Sequence, residues 1–70
     1  MIEIDLTQLV CPMPLIKLKK QLTEHPSETE FKLLLTDRGA LKDVPAFCAQ
    51  VGLRCEAVET AETLVIWVRR

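Results

Sequence analysis

The stretch Leu9–Lys20, LVCPMPLIKLKK, decides how the chain is read. A cysteine is followed by two prolines around one free residue, directly before an amphipathic run. Inside a helix proline removes an N–H and clashes with the preceding turn. In the first turn it loses no bond, because those N–H groups have no intrahelical acceptor. With Cys11 as N-cap, Pro12 becomes the first helical residue and Pro14 the third. The run from Pro12 to about Thr23 then reads as a helix. Leu15, Leu18 and Leu22 share one face, and Lys17, Lys20, Gln21 and Glu24 lie opposite. Lys19 sits at the apolar edge, where it must snorkel. Pro26, in HPSETE, ends the run.

Working outward, MIEIDL alternates, with Ile2, Ile4 and Leu6 on one side and Glu3 and Asp5 on the other, as in a half-buried strand. FKLLLT is a second strand that turns Phe31, Leu33 and Leu35 toward the core. Val44, Phe47, Cys48 and Val51 recur at helical spacing. Either Asp43 caps this second helix with Pro45 in its first turn, or an earlier turn through Ala40 and Leu41 joins on. Gly52 stops it. RCEAVE and TLVIWVR are two closing strands with a turn near TAET. The order βαβαββ, in a single domain spanning residues 1–70, predicts an α+β fold. This is a two-layer α/β sandwich whose four-stranded mixed sheet carries both helices on one face. The opposite face then presents Leu34, Val58, Val65 and Trp67, either as an apolar patch or as apolar residues scattered among Lys32, Arg54 and Glu56.

Composition narrows the function classes. The hydrophobic share of 49% suffices for a packed core, and a net charge of −1 argues against a basic nucleic-acid binder. There is no row of aromatic residues for stacking on bases. No apolar run approaches the ~20 residues of a transmembrane helix, and the acidic start lacks the lysines of a signal peptide. A cytoplasmic chain is expected. Cys11, Cys48 and Cys55 are odd in number, contain no CxxC pair and have a single histidine for company, so no metal site is expected.

The prolines also thin out the donors around Cys11. Among residues 11 to 14 only Cys11 and Met13 keep an N–H, so Met13 is the one early donor available to an N-cap side chain. That donor and the positive end of the helix dipole would both favour thiolate, the nucleophilic form of cysteine. His25 lies beyond the far end of the helix, some 15–20 Å away at about 1.5 Å per residue, and cannot serve as a base. Cys48 and Cys55 fall on core-facing positions and read as packing residues. On these residues alone, a reactive Cys11 and an ordinary buried one are both open.

At Cys11-Pro12-Met13-Pro14 the chain resembles the TusA/SirA-like family of small sulfur-carrier proteins. Asp5, Leu9, the helix after the motif, Asp37 and DVPAFC (Asp43–Cys48) extend the likeness over nearly the whole chain. Gln8, where the family commonly has glycine, and Arg38, where it often has proline, depart from it. The resemblance implies the βαβαββ sandwich and a sulfurtransferase-type persulfide carrier with Cys11 as the sulfur-bearing residue, supported by Pro12, Met13 and Pro14. It implies no metal or other cofactor. The implied partners are proteins: a cysteine desulfurase-type donor and a sulfur-relay acceptor serving tRNA thiolation or related sulfur trafficking. Lys17, Lys19 and Lys20 are candidates for docking an acidic partner, or a solvated face that complements the helix C-terminus. Two other classes fit the same residues: a non-catalytic interaction module whose CPMP merely caps a helix, and a thiol redox protein pairing Cys11 with Cys48 or Cys55.

Overall fold

The structure, a computed structural model, describes residues 1–10 and 13–70. The expected helix start at Cys11 and Pro12 lies outside the described residues. The elements run β1 (Ile2–Leu6), α1 (Met13–Glu24), β2 (Glu30–Leu35), α2 (Ala40–Val51), β3 (Arg54–Glu59) and β4 (Leu64–Arg69). The sheet order is β1-β2-β4-β3, with β1 parallel to β2 and β4 antiparallel to both β2 and β3. Strands β1, β2 and β3 therefore all point the same way. Their C-terminal ends and the N-termini of both helices gather at one end of the molecule.

Register explains the two faces. Ile2, Ile4 and Leu6 stand beside Phe31, Leu33 and Leu35, and these beside Val68, Ile66 and Leu64. With Leu18 from α1 and Ala40, Val44 and Cys48 from α2, the last six of these and Leu6 form the buried core. Fully burying a large aliphatic or aromatic side chain contributes roughly 1.5–3 kcal/mol, so the strands' alternation is the main force aligning the sheet. On the opposite face Asp5, Leu34, Val65 and Val58 form one cross-strand row, and Glu3, Lys32, Trp67 and Glu56 the next. Both expectations for this face hold in part. Leu34, Val65 and Val58 are contiguous, but Trp67 is half-covered by Lys32, whose ammonium lies 5.2 Å from the indole centroid. Lys32 also pairs with Glu3 at 3.8 Å.

The second helix starts early, as in the alternative through Ala40 and Leu41. Asp37 decides this: its carboxylate accepts the Gly39 N–H at 3.1 Å and its carbonyl accepts the Ala40 N–H at 3.2 Å. Asp43, the other candidate cap, sits within the first turn, where a negative charge suits the dipole. Pro45 consequently falls inside the helix. At the far end Gly52 takes φ 78°, a left-handed conformation glycine adopts without a Cβ clash, and the N–H groups of Gly52 and Leu53 both donate to the Cys48 carbonyl.

Candidate functional site

The segment leading to Cys11 is tied down residue by residue. Asp5 accepts the Thr7 N–H at 3.0 Å and the Thr7 hydroxyl at 2.7 Å. These bonds, the hydroxyl's first, hold its carboxyl below the usual aspartate value. The Thr36 hydroxyl, just past β2, donates to the Thr7 carbonyl. The Leu9 N–H closes a turn onto the Leu6 carbonyl at 3.1 Å, and the Leu9 side chain packs against the core. On the other side, the Met13 N–H donates to the Val10 carbonyl at 2.9 Å. Cys11 and Pro12 fall between these anchors, and their own placement is outside the described residues.

Met13 is the donor the sequence assigns to the Cys11 sulfur, a contact that lies outside the described residues; its bond to the Val10 carbonyl, three residues back, has the separation of a tight turn. The helix itself also favours an anion. α1 spans 12 residues and has no acidic residue in its first turn. α2 starts at the same end, but Asp37 and Asp43 already meet its positive pole. Of the two helix starts, only that of α1 lacks a carboxylate among the described residues, and a pole of this kind stabilises a nearby anion by roughly 0.3–1 kcal/mol.

The other predicted site residues separate. Pro14 is buried and, with Leu15, faces Ala40, Asp43 and Val44 of α2, so it docks the helix start against its neighbour. Met13 remains 38% exposed. Lys17 is exposed and one turn further on. Lys20 pairs with Glu24 at 3.8 Å. Lys19 turns the other way, its ammonium 5.2 Å from the Phe47 ring. The three lysines thus form no single patch. Nor do they serve the helix C-terminus, whose last turn holds no basic residue. Arg70 does that instead, donating to the Leu22 and His25 carbonyls, both at 2.8 Å. His25 is exposed at that far end, as expected.

What the sequence reading missed is apolar. Val10, Met13 and Ile16 flank the cysteine with exposures of 69%, 38% and 50%. The available signal was Ile16, an isoleucine off the helix's leucine face. Arg38, one of the two departures from the family pattern, pairs with Glu59 and donates to the Thr60 carbonyl at 3.3 Å, bridging the loops after β2 and β3. Among the described residues no cluster of three or more histidine, cysteine or acidic side chains is placed to hold a metal ion. Among the described residues no helix is long and apolar enough to cross a membrane.

Comparison with known proteins agrees with this arrangement. A family model described as Sulfurtransferase TusA matches residues 2–70. The sulfur carrier protein TusA of Pseudomonas syringae pv. tomato is 31% identical over 68 residues, covering 96% of this chain and 81% of that protein. The TusA of Allochromatium vinosum is 38% identical over 50 residues, 71% of this chain and 66% of its own length. In fold, the crystal structure of a SirA-like protein from Desulfitobacterium hafniense superposes with a TM-score of 0.87 at 24% identity, covering 99% of this chain and 96% of that one. A match to the family model over all but the first residue, joined to that sandwich, places the chain in the TusA family.

Proposed function

We propose that the protein is a sulfur carrier that holds sulfane sulfur as a persulfide on Cys11 and passes it to an acceptor protein. The observation that carries this is the α1 start: a positive helix pole without an acid in its first turn, two residues after the cysteine, ringed by exposed apolar side chains. In loading, the Cys11 thiolate attacks the outer sulfur of a donor's persulfide. A new S–S bond forms, the donor's S–S bond breaks, and the donor thiolate departs. In delivery, an acceptor thiolate attacks the outer sulfur on Cys11 in the same way. Neither step has a net change in oxidation state, and neither needs a base at hydrogen-bonding distance if the sulfur is already anionic. The persulfide is itself an anion, suited to a helix N-terminus.

Both exchange partners are proteins, so recognition falls to a surface. Val10, Met13 and Ile16, exposed and close to the cysteine in sequence, supply one where apolar contact excludes water. The family likeness favours a cysteine desulfurase as donor and a relay serving tRNA thiolation, or a related sulfur route, as destination. Incubation with a cysteine desulfurase and cysteine is expected to add about 32 Da, one sulfur, to the protein and nothing to Cys11→Ser. Equal loading of the serine variant, or none on either in the presence of active desulfurase, would reject the proposal.

A further inference from the structure

β3 closes one side of the sheet: β4 pairs with one of its edges, and among the described residues no strand pairs with the other. Its residues run opposite β4 without a bulge, and all but Cys55 are exposed. A regular edge that holds neither proline nor lysine leaves a row of backbone donors and acceptors open to another strand. Two of its charges are also unmet. Glu59 pairs with Arg38, but neither Arg54 nor Glu56 joins an ion pair among the described residues. Within the sheet Arg54 stands opposite Arg69, a like charge that Glu30 already holds, and Glu56 stands opposite Trp67. Both fall on the open face of the sheet.

We propose that β3 pairs antiparallel with β3 of a second copy of this chain, joining the two four-stranded sheets into one. Charge selects both the occupant and the register. Directly opposite residues of an antiparallel pair share a face, so the twofold axis must pass through a residue and not between two. Through Glu56 it would set two carboxylates against each other, and through Ala57 it would set Glu56 against Val58. Through Cys55 it places Arg54 of each copy directly opposite Glu56 of the other, two ion pairs made by one strand sequence meeting itself. β1, the other edge strand, has only Glu3 and Asp5 on its open face, so a copy there would bring acids together. The paired strands run in opposite directions. The C-terminal ends of β1, β2 and β3 in the two copies therefore lie at opposite ends of the dimer, and the segments leading to Cys11 stay clear of the interface.

The test uses the whole chain with dithiothreitol present, so that no disulfide contributes. Sedimentation equilibrium over a concentration series is expected to show monomer and dimer in exchange. Arg54→Glu and Glu56→Arg, each alone, turn both ion pairs into like-charge pairs and should weaken association roughly tenfold or more. Combining the two reversals brings opposite charges together again and should restore association. On the unaltered chain, amide exchange across Arg54–Glu56 should slow as concentration rises, while the amides of β1 do not change. A monomer at every concentration up to about 1 mM, a dimer indifferent to the single reversals, a double variant that associates no more tightly than the singles, or concentration-dependent protection elsewhere would each overturn the proposal. None of these readouts depends on sulfur loading, so failure here and failure of the carrier reading are told apart.

Discussion

Thr7 shows how single polar groups set the approach to the cysteine. Its amide and hydroxyl are held by Asp5, and its carbonyl by Thr36. Thr36→Val removes one such bond, worth about 0.5–1.5 kcal/mol, and should speed amide hydrogen exchange at Leu9 while leaving the core amides of β2 unchanged. Asp5 has its pKa lowered in the fold, so its stabilisation is present above the unfolded value and lost as pH falls through the folded one. Urea denaturation at pH 7 and pH 3 is expected to show less acid sensitivity in Asp5→Asn than in the parent. Cys48 has the opposite sign. Its raised pKa means the fold keeps a thiol where the unfolded chain has a thiolate, so stability is complete below about pH 8.5 and declines above it. Alkaline denaturation between pH 9 and pH 11 should have a shallower slope in Cys48→Ala.

At the scale of elements, α1 and α2 meet the sheet through few residues. Leu18 is the leucine of α1 that is wholly buried. Leu18→Ala should cost about 3 kcal/mol, transfer and cavity together, visible as a lower urea midpoint with an unchanged slope. α2 contains its own imperfection. Pro45 gives the Leu41 carbonyl no N–H, a defect that arises because Asp37 starts the helix a turn before the proline. Pro45→Ala is expected to raise the melting temperature, by about 1 kcal/mol of stability once the greater freedom of the unfolded chain is set against the restored bond. At the start of α1, Ile16→Asn should fold normally and accept sulfur from a small-molecule persulfide, yet lose roughly tenfold in transfer from a protein donor, since an apolar contact becomes a buried polar group.

For the molecule as a whole, the decisive fact is that the C-terminal ends of three co-directional strands and the N-termini of two helices lie at one end. Loops after β1, β2 and β3 meet there, joined by Thr36 to Thr7 and by Arg38 to Glu59 and Thr60. Arg38→Ala should therefore loosen the loops after β2 and β3 and leave the opposite end, where Arg70 is anchored, unaffected in hydrogen exchange. The exposed sheet face carries the one tryptophan. Lys32→Ala should increase acrylamide quenching of Trp67 by uncovering the indole.

Period and punctuation in the sequence determined the element order, the alternation of Phe31, Leu33 and Leu35, the glycine stop at residue 52 and the cysteine on which function is proposed. These are local properties, set by side-chain spacing and backbone freedom within a few residues. Tertiary structure alone decided which donors and charges were already taken. Lys19 went to Phe47 and Arg70 to the end of α1. Such a contact goes to whichever group lies nearest in space, and for these residues the nearest group was set by how the chain folds back on itself.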